Sequence, residues 1–186
     1  MRVISGAARG KRLATFKGRD IRPTSDKVRA AVFDILHGYG PFTRALDIFA
    51  GTGAMGIEAL SRGVREALFI DSNQSAAALI RENLDRIGFS AQGEIVRMDA
   101  LAAINLLAAR RERFDLIFID PPYDNTLNGK VLAALDHHGL LDRGGIIVAE
   151  SSRKSGERVP PAGLECFKEK GYGDTVVTFY RVPGGA

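Results

Sequence analysis

A single cysteine, Cys166, is all the thiol the chain carries, so no internal disulfide framework can hold it together. No apolar run approaches the ~18 residues that a membrane span needs. The start shows no arginine-led apolar leader with a small-residue cleavage site, and no stretch is repetitive or of low complexity. The three histidines, His37, His137 and His138, have no cysteine partners and no metal-ligand spacing; they read as surface or helix-end residues, and no metal is expected. These absences lead to the expectation of a reduced, cytoplasmic protein without membrane contact. With 186 residues, one main domain is the default, since a chain of this size buries roughly 70% of its extended surface.

Charge is present in quantity and unevenly placed. Residues 1 to 29 hold nine basic side chains (Arg2, Arg9, Lys11, Arg12, Lys17, Arg19, Arg22, Lys27 and Arg29) against Asp20 and Asp26, a balance of +7. The remainder, with 17 basic and 20 acidic residues, is −3. A near-neutral body with a basic extension is the electrostatic footprint expected of a polyanion binder. The division that follows is a basic hairpin extension over residues 1–24 and a main domain over residues 25–186.

Within the extension, Met1 to Ser5 and Lys11 to Ala14 flank a glycine-containing loop and read as a hairpin. After the loop Arg22-Pro23-Thr24, either Thr24 or Ser25 is placed to cap a helix whose apolar stripe is Val28, Ala31, Val32, Ile35 and Leu36, ending at Gly38. From residue 44 strands alternate with helices, the pattern of a parallel sheet covered on both faces. The expected strands are Arg44 to Phe49, Glu66 to Asp71, Gly93 to Met98, Phe114 to Ile119 and Gly145 to Glu150. The expected helices are Ala54 to Ser61, Asn73 to Ile87, Ala100 to Arg110 and Leu127 to Leu135. Ser151 to Pro161 is a polar, proline-containing connector, and Leu164 to Lys170 with Thr175 to Arg181 form a terminal hairpin. The fold class is α/β: a Rossmann-like, seven-stranded, mostly parallel sheet with an antiparallel C-terminal hairpin, plus a small N-terminal hairpin and helix.

The first strand runs into a glycine loop in which Gly51, Gly53 and Gly56 take the G-x-G-x-x-G spacing, which permits a tight turn and close approach to a ligand. Asp71 follows 20 residues after Gly51, where a carboxylate can accept both hydroxyls of a ribose. That combination alone does not separate a nicotinamide dinucleotide from S-adenosylmethionine. Asp99 ends the third strand, where it can receive an adenine amine between apolar walls from Met98, Ala100 and Leu101. Ligands of open parallel sheets lie outside the carboxyl ends of the strands, so Asp47, Gly51, Asp71, Asp99 and Asp120 should share one crevice. Each acid also has a plainer reading: Asp47 bonded to loop amides, Asp99 a helix N-cap. Four strands ending in Asp, however, attract a cationic methylsulfonium and repel a pyrophosphate. The cofactor-binding set is therefore Asp47, Phe49, Gly51, Gly53, Asp71, Ser72, Asp99 and Ala100, and the cofactor S-adenosylmethionine.

The fourth strand ends in Asp120-Pro121-Pro122-Tyr123. Residues before proline are extended, and prolines have no N–H, so this hook offers acceptors beside an aromatic ring. Asp120 and the Pro121 carbonyl can each accept one N–H of an exocyclic amine and localise its lone pair, and Tyr123 can stack on the base, a contact worth roughly 1 to 3 kcal/mol. The plainer reading is a strand closed by a tight turn. Asp120, Pro121 and Tyr123 form the catalytic set.

With these motifs the chain resembles the bacterial 16S ribosomal RNA guanine-N2 methyltransferases of the RsmD type over nearly its whole length. The resemblance is carried by residues 22–29, beginning Arg22-Pro23-Thr24-Ser25, by the glycine loop from Leu46 to Gly63, by Asp120-Pro121-Pro122-Tyr123 and by Tyr172-Gly173-Asp174-Thr175. Amino-methyltransferases of DNA adenine share the hook; the Arg-Pro-Thr segment makes the match specific. The resemblance implies one methyl transfer from S-adenosylmethionine to a guanine N2 in 16S rRNA or a small-subunit assembly particle, with the basic N-terminal hairpin helping to hold RNA; the expected RNA-binding set is Arg9, Lys11, Arg12, Arg22 and Thr24, and a monomer suffices for this chemistry. Asp71 and Asp34 stand where the family pattern favours Glu and Asn; a shorter acid at Asp71 still reaches a ribose. The rivals are a DNA adenine-N6 methyltransferase, a non-catalytic RNA-binding assembly factor with the same fold, and a nicotinamide oxidoreductase.

Overall fold

The computed structural model describes residues 1–16, 26–121, 125–153 and 160–184, the side chains of residues 125 and 126 excepted. Its helices are α1 (Asp26–Leu36), α2 (Ala54–Ser61), α3 (Gln74–Ile87), α4 (Ala100–Ala109) and α5 (Asn125–His138). The strands are β1 (Arg44–Ile48), β2 (Glu66–Ile70), β3 (Gly93–Val96), β4 (Phe114–Ile119), β5 (Leu141–Ser152), β6 (Glu165–Tyr172) and β7 (Thr175–Arg181). They make one seven-stranded sheet in the order β3-β2-β1-β4-β5-β7-β6, the expected class and strand count. β1 to β5 pair in parallel, and β7 runs antiparallel between β5 and β6. The antiparallel strand is thus last in sequence but one place inside the sheet edge.

Both faces of the sheet are covered, which explains why its strands are apolar almost throughout. Val32, Phe33, Ile57, Ile80 and Leu84 pack on one face with Phe69, Phe118 and Phe179. Ile104, Leu107, Val131 and Leu135 pack on the other with Leu46, Ile48, Phe114 and Ile117.

Several boundaries move: β3 ends at Val96 instead of Met98, β5 runs on to Ser152, and β6 spans Glu165–Tyr172. β5 begins at Leu141 instead of Gly145, because Leu141 pairs with Phe114 across a register shift before Ile146 pairs with Leu116. α5 exceeds the expected Leu127 to Leu135 at both ends. The caps expected at Thr24 or Ser25 lie outside the described residues.

The N-terminal hairpin is joined by one isolated bridge, Arg2 to Arg12, flanked by Val3 N–H to the Lys11 carbonyl at 3.0 Å. It is docked on the body, since Val3, Ala8 and Leu13 are buried in the same core as α1, α2 and α3. Glu58 on α2 accepts the backbone N–H groups of Ile4 and Ser5 at 2.8 and 3.0 Å. Ser61 Oγ accepts the Ala8 N–H. Buried Asn83 on α3 accepts the Ala14 N–H and donates to the carbonyls of Ala14 and Thr52, tying the hairpin's exit to the glycine loop.

Arg29 departs from its expected place in the basic footprint. It is fully buried, donating to the Arg2 carbonyl and to Asp26, with Glu58 3.7 Å from its Nε. Burial lowers its pKa, partly offset by Asp26 and Glu58. Arg2, Arg9, Lys11, Arg12 and Lys27 are the exposed basic residues of this region among those described. No helix among the described residues is long and apolar enough to cross a membrane.

Candidate active site

β1 delivers its chain into the crevice through Phe49, whose φ of 65° is unusual for a bulky side chain. The turn continues through Gly51 and Gly53 at φ 56° and 76°, Gly53 forming the N-cap of α2. The Gly53 N–H donates to the Ala50 carbonyl at 2.7 Å, which closes the turn tightly before α2. Gly56 has a different reason: a Cβ there would lie 2.3 Å from Phe69 Cε1, so α2 can sit this close to β2 only without one.

Asp47 lies beneath the loop, 3% exposed, its Oδ2 accepting the Gly56 N–H at 2.9 Å. This is the amide-bonded arrangement set out as its plainer reading. Burial pushes the Asp47 carboxyl up to about 8, outweighing the Gly56 amide that favours its charged form, and the charges of Asp120 and Asp71 push the same way. The three acids therefore feel one another across the ends of β1, β2 and β4.

An acid with a raised folded-state pKa gives stability that is complete below its unfolded value and lost as pH rises through the folded one. For Asp47 the window runs from about 4 to about 8. Between pH 7 and 8 the protein should lose about 1 kcal/mol from this group, a loss absent in Asp47→Asn, which keeps an acceptor for Gly56. Urea melts of the two proteins at pH 7, 8 and 9 check it; parallel pH profiles contradict the assignment.

Asp71 is half-buried at the end of β2, one oxygen accepting the Gly51 N–H at 2.9 Å and the other the Asn73 N–H at 2.8 Å. A carboxylate has about four lone-pair sites, so two remain for a pair of ribose hydroxyls. Asp99 is the N-cap of α4, its Oδ1 accepting from the Leu101 and Ala102 N–H groups. That cap uses one oxygen and leaves the carboxylate acceptor capacity for an adenine amine. Ser72 is exposed beside Asp71, and Ala100 is buried where α4 begins. A glycine-lined turn and an acidic crevice rim are what a sulfonium cofactor with a ribose and an adenine requires, so these residues fit S-adenosylmethionine.

Just past β4, the Asp120 N–H approaches the Ile48 carbonyl at 3.4 Å, which holds the start of the hook against the end of β1. Asp120 and Pro121 are both half-buried. Tyr123 lies outside the described residues, as do Arg22 and Thr24 of the RNA set. Arg9, Lys11 and Arg12 are all exposed, and Lys11 also donates its Nζ to the Ile87 carbonyl at 2.8 Å, at the C-terminal end of α3. Lys11 thus serves the docking of the hairpin.

Glu58, Asn83 and Asn128 were not singled out by sequence. Glu58 and Asn83 are polar residues inside otherwise apolar helix stripes, and that mismatch was the available signal. Among the described residues no cluster of His, Cys, Asp and Glu could hold a metal ion.

Residues 1–181 match the model of a protein family described as conserved hypothetical protein 95. The chain is 36% identical over 184 residues to YlbH of Bacillus subtilis (strain 168), provisionally named an rRNA methyltransferase, covering 99% of this chain and all of that one. It is 29% identical over 181 residues to ribosomal RNA small subunit methyltransferase D of Escherichia coli (strain K12), covering 97% and 89% of the two chains. Among solved structures, yhhF of Escherichia coli, provisionally named a methyltransferase, superposes with a TM-score of 0.85 at 29% identity, over 98% of this chain and 97% of that one.

Proposed function

This chain belongs to the conserved hypothetical protein 95 family, that of the RsmD-type methyltransferases, and on that premise we propose that it methylates the exocyclic N2 amine of a guanine in 16S ribosomal RNA, using S-adenosylmethionine. The observation that carries the reading is the convergence of Asp47, Asp71 and Asp120 at one end of the sheet, beside the glycine loop and the Asp120-Pro121 hook.

S-adenosylmethionine, when bound, supplies an electrophilic methyl group. Asp71 would hold its ribose and Asp99 its adenine amine, with the Gly51 to Gly53 turn against its tail. Asp120 and the Pro121 carbonyl each accept one N–H of the target amine and turn its lone pair out of the ring plane. Positive charge builds on that nitrogen as it is methylated, so the Asp120 carboxylate stabilises the transition state more than the ground state. The proton then leaves to Asp120 or to water.

Arg9 and Arg12, together with Lys11, supply the exposed charge for RNA phosphates, and Arg22 and Thr24 belong to the same proposed contact. Replacing Arg9 and Arg12 together with Gln should weaken RNA binding and flatten its salt dependence by roughly one unit of slope per lost phosphate contact, leaving cofactor affinity unchanged. An unchanged slope means that this charge does not meet RNA.

Mapping N2-methylguanine in 16S rRNA from cells with and without the protein tests the function. Loss of one modified position is expected; identical maps overturn it. The hook equally suits an adenine N6 amine, so methyl incorporation into duplex DNA and ribosomal RNA should be compared, with RNA favoured. A protein that fails to bind S-adenosylmethionine in calorimetry would instead be a non-catalytic assembly factor. We further propose that the protein acts as a monomer.

A further inference from the structure

Asn128 lies in the first turn of α5, just after the hook. Its Nδ2 donates to the Glu150 carbonyl at 2.8 Å. The residue is 9% exposed, and its Oδ1 is buried with no hydrogen-bond partner among the described residues. Reversing the amide would set Oδ1 against the Glu150 carbonyl, acceptor against acceptor, so the orientation follows from the chemistry. A buried acceptor without a donor is costly and uncommon in a folded protein.

Its position ties it to the site. β4 and β5 are parallel neighbours with Ile119 opposite Ala149, and one further step in that register sets Asp120 beside Glu150. Adjacent strands are about 4.8 Å apart, so the carbonyl that Asn128 holds belongs to the residue flanking Asp120. The Asp120 carboxylate and the Pro121 carbonyl stand at the end of β4, and the amide that carries the orphan Oδ1 is bonded to the neighbouring end of β5. All three are acceptors.

The two candidate bases differ in how they meet such a row. Guanine presents N1–H beside its N2 amine, an unbroken run of donors. Adenine presents its N6 amine beside an unprotonated N1, which would bring a lone pair against a buried acceptor. An unpaired polar contact of this kind is a strong source of discrimination.

We propose that Asn128 Oδ1 accepts the N1–H of the target guanine, making Asn128 a base-selecting residue of the site. This rests on the reading of the protein as a guanine-N2 methyltransferase. It gives the orphan acceptor a donor and makes the choice of purine a property of α5 as well as of the hook.

The test uses the full-length protein and small-subunit rRNA ligated to carry, at the mapped position, guanine, 2,6-diaminopurine or 2-aminopurine. Both analogues keep the 2-amino group and lack the N1 proton. The wild type should favour guanine in kcat/KM by roughly tenfold to a hundredfold. Asn128→Leu and Asn128→Ser, each checked for folding by circular dichroism, should lose activity on guanine and bring the ratio to within about threefold of one. A wild-type ratio near one overturns the inference, and so does a ratio that persists in a folded variant. Those results leave guanine-N2 methylation itself standing. Absence of any transfer to the guanine substrate by the wild type overturns that parent reading and this inference with it.

Discussion

Asp120→Ala is expected to lower kcat for methyl transfer by roughly a hundredfold to a thousandfold, while S-adenosylmethionine affinity stays within about threefold. The two readouts separate because Asp120 follows β4, whereas Asp71 and Asp99, assigned to the ribose and the adenine, follow β2 and β3. An aromatic amine holds its lone pair in the ring, and the group that draws out an N–H and faces the growing positive charge acts mainly in the transition state. Asp120→Asn keeps an acceptor oxygen and loses the charge, so it should fall between the wild type and Asp120→Ala. A subsidiary effect should appear in stability. Because the charge of Asp120 helps to raise the Asp47 carboxyl, its removal should shift the Asp47 titration downward. Single-turnover rates with calorimetric cofactor binding measure the main effect. Full activity in Asp120→Ala ends the mechanism.

Glu58→Ala should destabilise the protein by about 3 to 5 kcal/mol. The Glu58 side chain is 1% exposed and receives Ile4 N–H, Ser5 N–H and Arg62 Nε, with buried Arg29 alongside. Removing it strands two backbone donors and leaves the Arg29 charge with only Asp26 opposite, which is half exposed. For a chain of this length that corresponds to a fall in melting temperature of roughly 10 °C. Glu58→Gln retains acceptor capacity and should lose less. Hydrogen exchange at the Ile4 and Ser5 amides should quicken in both variants, since those bonds hold the hairpin down. A loss under about 1 kcal/mol in Glu58→Ala would show that the hairpin is anchored by its apolar side chains alone.

The sheet was legible in sequence because its strands are short apolar runs punctuated by Gly, Asp and Pro, and the helices between them repeat at helical spacing. The crevice was legible for a related reason: ligand residues of an open parallel sheet stand at strand ends, where Asp47, Asp71, Asp99 and Asp120 mark the terminations. What each acid does with its oxygens was legible only as alternatives. The Asp47–Gly56 bond and the Asp99 cap are the plainer readings of those two acids, and backbone geometry that spacing leaves undetermined is what realises them. The same holds for Arg29. Its basic neighbourhood predicts surface charge, yet the partners that draw it inward, the Arg2 carbonyl and Glu58, lie 27 and 29 positions away. Lys11 likewise gave no sign that it would reach Ile87, which is distant in the chain. Asn128 was passed over because nothing in a single sequence distinguishes a buried amide with one idle atom from an ordinary helix surface residue.

The way the N-terminal hairpin is held also orders the protein's biosynthesis. Its first residues are synthesised before everything that secures them: Ile4 waits for Glu58, Ala8 for Ser61, Ala14 for Asn83 and Lys11 for Ile87, separations of 53 to 76 positions. Such long loops must close before their contacts repay the lost chain entropy. A segment made this long before its partners is therefore among the last to settle. A nascent chain halted before residue 58 has none of these partners for its basic arm, and the ties through Asn83 to the glycine loop and through Ile87 form only once α3 has been made.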